Sequence, residues 1–227
     1  MKKQIISILT CITLFCSFSA TAQRSQINAL TDETQLLSNE DDKMRIVWWI
    51  PSEFWQIALA EEGSVSQDQI DAFIEVFDQY TLFAMADGDI STFGNVSYKT
   101  KNEIINSTYI ITDDKEYHPI PTSEVSGDMT VILGMFTPVL ANMLGTMGEN
   151  MHFIVFQPEN EKGNPLINPT EKGAFTIMLA GEAFNFRLPV GALMPAKWCE
   201  KDQEEFNGAW NYCPYCGSKL VDVKSED

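Results

Sequence analysis

Histidine is nearly missing from this chain: His118 and His152 are the only two in 227 residues. They lack metal-ligand spacing relative to each other, which excludes a histidine-paired metal motif. No G-x-S-x-G elbow, phosphate loop or dinucleotide fingerprint occurs, so the common hydrolase and nucleotide-binding signatures are absent. Positive charge is scarce too, with 15 Lys+Arg against 32 Asp+Glu and a net charge of −17. An acidic chain without a basic cluster repels phosphate backbones, which excludes nucleic acid as a partner. The acidity reads as solubility and a solvated face. A calcium loop is lacking, because Asp87-Gly88-Asp89 is only a fragment of one.

What is present begins with a leader. Lys2 and Lys3 form a positive start, Ile5 to Phe18 an apolar stretch, and Ala20-Thr21-Ala22 a small-x-small cleavage site. This is the pattern of a signal peptide over residues 1–22, and it predicts a soluble protein exported to the periplasm or the extracellular space. Neither Cys11 nor Cys16 follows the small residue that a lipid-anchored cysteine needs. Removing the leader takes away Lys2 and Lys3 and leaves 13 basic against 32 acidic residues, a balance of about −19. It also removes two of five cysteines. Three remain, Cys199, Cys213 and Cys216, and an odd number cannot form a complete disulfide framework.

Residues 23–43 are polar with little periodicity and read as a tether or a short surface helix. Order is expected from Met44, where MRIVWWI suits a buried strand. A helix is predicted after Pro51, closed by Gly63, and a second after the Ser66–Gln69 capping box, with Ile70, Phe73, Ile74 and Phe77 on one face. Strands are predicted over 81–87, 95–100, 108–113, 115–120 and 151–157. The run 129–148 has no charge and nearly the length of a membrane span. Its glycines, threonines, Pro138 and Asn142 favour a buried helix bent near Pro138 over a membrane-associated segment. A hairpin follows, with Ala180-Gly181-Glu182-Ala183 as its turn. The whole predicts an α+β domain over 44–194, with a mostly antiparallel sheet covered by helices.

The tail, 195–227, carries a short internal repeat. Lys197 to Phe206 aligns with Asn211 to Leu220 as aromatic-Cys-x-x-(Asp or Cys), and Asn207-Gly208 between them suits a hairpin turn. Residues 198–220 resemble a zinc ribbon, in which two knuckles meet around one metal. Pro214 and Gly217 look like that family's CPxCG knuckle. The resemblance implies a structural zinc held by Cys199, Cys213 and Cys216, with Asp202 where the family has cysteine or histidine. Two other readings of CPYC stand beside it: a Cys213–Cys216 disulfide with Cys199 free, and a redox pair. The glutaredoxin position for such a pair, near the start of a fold, does not match.

The function expected from these residues is that of an exported, acidic, non-enzymatic binding protein with a structural metal site and a secreted or envelope protein partner. An alternative is an envelope thiol–disulfide or metal-handling protein using Cys213 and Cys216. A third is a hydrolase with a site assembled from residues such as Asp87, Asp89, His118 or His152.

Overall fold

The strand TLFAMA, Thr81–Ala86, is buried at every position, which requires cover on both of its faces. The structure, a computed structural model, describes residues 26–62 and 66–223. The expected leader and the helix-closing Gly63 lie outside them. In chain order the elements are a helix α1 over residues 26–34, β1 Gln35–Leu37, β2 Ile46–Trp49, α2 Ser52–Glu62, α3 Gln67–Phe77, β3 Thr81–Ala86, β4 Gly88–Ile90, β5 Val96–Tyr98, α4 Lys101–Ser107, β6 Thr108–Thr112 and β7 Lys115–Tyr117. Then come α5 Gly127–Leu144, α6 Thr146–Glu149, β8 His152–Phe156, β9 Gly173–Leu179, β10 Glu182–Leu188, β11 Lys197–Cys199, β12 Glu204–Phe206 and β13 Val221–Asp222.

The class is α+β with antiparallel pairing, and the strands divide into sheets. A central sheet runs β1-β2-β3-β8, and a second sheet runs β10-β9-β6-β7. Side chains alternate across a strand, so β3 sends Phe83 and Met85 to one face and Leu82, Ala84 and Ala86 to the other. The first face meets Ile110, Phe175, Ile177 and Phe186 of the second sheet. The opposite face meets Trp55 of α2, Ile70, Ile74 and Phe77 of α3, and Met129, Leu133 and Leu140 of α5. The fold is therefore three layers, helices on sheet on sheet. This explains why β2, β3 and β8 read as unbroken apolar runs while β9 and β10 alternate. Each fully buried Phe, Leu, Ile or Met contributes roughly 1.5–3 kcal/mol.

Several expectations change. Residues 26–37 of the expected tether are built into the fold. Leu30 of α1 is fully buried in the core, and β1 pairs with β2. The polar composition concealed this because α1 needs only one face for burial. Glu33 of α1 accepts hydrogen bonds from the Gly191 N–H (2.7 Å), the Ala192 N–H (2.9 Å) and the Asn207 side-chain amide (2.7 Å), tying the start of the fold to its end. The β9–β10 turn is Ala180-Gly181 alone, both with positive φ (49° and 85°), and Glu182 and Ala183 already belong to β10. Helix α4 replaces an unassigned stretch. Its start is fixed by Thr100 and Glu103, whose side chains each bond the other's backbone N–H.

The expected buried helix at 129–148 is only partly buried. Ser126 caps α5 by accepting from the Met129 N–H at 3.2 Å. Met129, Leu133 and Leu140 face the central sheet. Val131, Met135, Val139 and Met143, spaced four apart, form an exposed apolar stripe, with Met135 69 % and Met143 68 % exposed. The helix is long and apolar enough to cross a membrane by length and composition. The stripe continues into a wholly apolar hollow floored by Trp48, Phe54, Trp55, Phe136 and Phe153.

Candidate metal centre

The tail forms its own small sheet, β12-β11-β13. Cys199 ends β11, and the chain turns through residues 200–203 into β12, where Cys199 pairs with Glu204. The second knuckle lies between Tyr212 and Lys219, which form an isolated bridge. Each knuckle is thus its own hairpin turn. The expected hairpin at Asn207-Gly208 does not form, and these residues instead seat the tail on the body. Asn207 reaches Glu33, and a side chain at position 208 would collide with Met194 Cβ and the Pro195 carbonyl, both 2.5 Å away. Glycine is needed there for close approach.

The two knuckles share one kind of closing backbone hydrogen bond. The Gln203 N–H donates to the Cys199 carbonyl at 2.8 Å, and the Gly217 N–H donates to the Cys213 carbonyl at 3.0 Å. Both residues take left-handed φ, 55° and 71°. The Asp202 N–H points at the Cys199 sulfur and the Tyr215 N–H at the Cys213 sulfur, each at 3.4 Å. Such N–H groups favour thiolate over thiol. Sequence alignment of the knuckles paired Gln203 with Gly217. The left-handed turn at Gln203 was missed because glutamine carries no signal for it.

This geometry gathers one donor atom each from Cys199, Asp202, Cys213 and Cys216, all within 4.8 Å of one another. All three cysteines are free thiols. The Cys199 and Cys216 sulfurs lie 3.5 Å apart, far beyond a bonded pair at about 2.05 Å. A tetrahedron with metal–sulfur bonds of about 2.3 Å sets its sulfurs about 3.8 Å apart, close to what is observed. Asp202 Oδ2 is 3.0 Å from Cys213 Sγ and 3.3 Å from Cys199 Sγ. The four side chains could hold a metal ion.

The electrostatics fit a site built for a cation. Burial pushes the Cys213 thiol up to about 11. Hydrogen bonds from Cys216, Cys213 and Cys199 hold the Asp202 carboxyl below its usual range. Without a cation Cys213 thus keeps its proton beside the Asp202 carboxylate, and a bound metal would displace it. Cys199 and Cys213 pack with Leu220 and Phe206 in a core too small to stand alone.

The other candidate residues do not converge. Asp87 is buried against Arg45, its Oδ1 2.8 Å from Arg45 Nε, and Arg45 also reaches Glu182 Oε2 at 2.8 Å. Asp89 is bridged by Lys99 at 2.6 Å and Lys43 at 2.9 Å, which hold its carboxyl at about 2. His118 rests near the Tyr109 ring. His152 lines a separate cleft. The Asp87–Asp89 pair is therefore engaged by cations rather than poised for acid–base work. Arg45 and Glu182 were not singled out in the sequence, although a lone arginine inside MRIVWWI was a signal of a buried partner.

Comparison with protein-family models, with curated proteins and with solved structures gives no match for this chain.

Proposed function

We propose that the tail holds one structural zinc and that the chain is an exported, non-enzymatic binding protein whose partner is another secreted or envelope protein. The observation that carries the metal reading is the convergence of three thiols and one carboxylate from two matched knuckles within 4.8 Å. Three thiolates favour zinc over harder ions. Four protein donors fill the sphere, whereas a catalytic zinc keeps one position for water. The metal's task is then to hold a tail whose own core is three buried residues.

Partner binding is supported by the open stripe of α5, an apolar face on an otherwise acidic chain. The second reading, thiol–disulfide exchange through Cys213 and Cys216, draws on the exposure of Cys216, the least buried of the three thiols. Asp202 pushes that thiol up, but the hydroxyl and N–H of Ser218 outweigh it and hold it low.

Metal content and free-thiol count on the purified protein test the reading. The expected result is about one zinc per chain, with the thiols reacting only after unfolding and chelation. No metal together with one free thiol overturns it in favour of a disulfide. Asp202→Cys is expected to tighten zinc binding in a chelator competition, since thiolate is the softer donor. Unchanged affinity removes Asp202 from the coordination sphere.

A further inference from the structure

A cleft of about 290 Å³ opens between α5 and the end of the central sheet where β8 begins. It is separate from the tail and holds whether or not the tail takes a metal. Its volume falls just below the roughly 300–1,000 Å³ of small-molecule sites, which suits a small ligand. Leu133, Met151, Phe153 and Val155 give it an apolar floor. Lys101 and His152, both half-buried, are among the residues that border it. Lys101 forms no salt bridge among the described residues, although the chain is rich in carboxylates. In the three-layer body, the other cations buried at least this far, Lys43, Arg45 and Lys99, each pair with a carboxylate. Burial lowers the Lys101 ammonium, and burial followed by the Lys101 charge lowers the His152 ring. A cation held in apolar surroundings without a counterion gains from any anion that enters. Glu149 also borders the cleft, exposed to solvent and not paired with Lys101.

Helix α5 keeps this cleft open by what it leaves out. Thr130, Leu133, Gly134 and Thr137 recur at helical spacing and present one face to it. Gly134 sits mid-helix, where glycine costs about 0.8–1.0 kcal/mol relative to alanine. A Cβ built at 134 would meet nothing within 4 Å. Neither packing nor φ demands glycine at that position. Its effect is to leave space over the apolar floor.

We propose that this cleft is a binding site for a small amphipathic carboxylate, with the carboxylate on Lys101 and the apolar body over Leu133, Phe153 and Val155. The acid class follows from one ammonium without a carboxylate partner, and the amphipathic class from the floor.

Octanoate is the probe, titrated calorimetrically into the purified full chain, with 1-octanol as its uncharged counterpart. Saturable binding of octanoate is expected, with octanol weaker by about tenfold or more, because a charge-assisted contact is lost. Lys101→Met is expected to weaken octanoate by a similar factor, and Gly134→Phe to abolish binding by filling the cleft. Gly134→Phe adds a side chain into open space on a helix, so its melting temperature should stay at or above that of the parent. Lys101→Met provides the check if it does not. The proposal is overturned if octanoate does not saturate the parent at millimolar concentration, or if octanol binds as tightly. Unchanged affinity in Lys101→Met, or unchanged affinity in a folded Gly134→Phe, also overturns it.

Discussion

In the Cys213→Ser variant, protease is expected to cut within residues 197–223 and to leave a resistant fragment that contains all three layers of the body. Zinc content should fall from about one per chain to below about a tenth, because structural zinc sites draw roughly 10–16 kcal/mol from a complete set of thiolates. The expectation rests on where the tail's stability resides. Its buried apolar side chains are Cys199, Cys213 and Leu220, and two of these belong to the group that could hold a metal. Removing one donor removes both the metal and part of that core. The body should survive because its contact with the tail is local. Glu33 loses Asn207 as a donor but retains the N–H groups of Gly191 and Ala192. The thermal transition of the body should therefore move by only a few degrees, consistent with a loss of about 1 kcal/mol. A variant as protease-resistant as the parent would remove the metal from its assigned role.

Arg45→Met is expected to destabilise the body by about 3–5 kcal/mol, and so to lower its melting temperature by roughly 10 °C. The methionine can fill the space but leaves two carboxylates without their cation, Asp87 with 3 % and Glu182 with 12 % side-chain exposure. Charges buried without a partner cost far more than the pair contributed. Arg45→Met combined with Asp87→Leu and Glu182→Gln should recover much of the loss, since the desolvated charges are then gone. A parent-like melting temperature for the single variant would show that water reaches these carboxylates freely. The same network sets an acid limit. Burial raises the Glu182 carboxyl, but Arg45, Ser38 and the Asn39 N–H together hold it below the usual range. A depressed carboxyl stabilises the fold above its unfolded value of about 4.3, and that contribution is lost as pH falls through the lower folded value. Urea midpoints measured from pH 6 to pH 3 should fall for the parent and fall less steeply for Glu182→Gln.

The parts of the fold that sequence exposes are those under the strongest local constraint. β2, β3 and β8 are covered on both faces, so they show as uninterrupted apolar runs. The four donors of the tail were visible because knuckles impose fixed spacing on residue types that few other structures require together. Pairing between strands was not visible, because β6 joins β9 across 60 or so intervening residues and no local residue records the partner. Helix α1 was hidden for a related reason. Leu30 is its main buried apolar contact, and a single leucine makes no periodic signal. The cleft beside Lys101 is assembled from α4, α5 and β8, so it exists only after those elements meet.

The hydrogen bonds of Glu33 also have a consequence in time. Its nearest partner, Gly191, is 158 residues further along the chain, and Asn207 is 174. Helix α1 leaves the ribosome ahead of every other described element, but the groups that satisfy its carboxylate are among the last to emerge. Contacts of such long separation carry the largest loop-closure cost and form late. Leu30 lies in the core that β9 and β10 help to close, so that core stays incomplete until those strands are made. The first helix to be made is among the last to be completed, and the nascent chain is most exposed to misassociation at its N-terminal end.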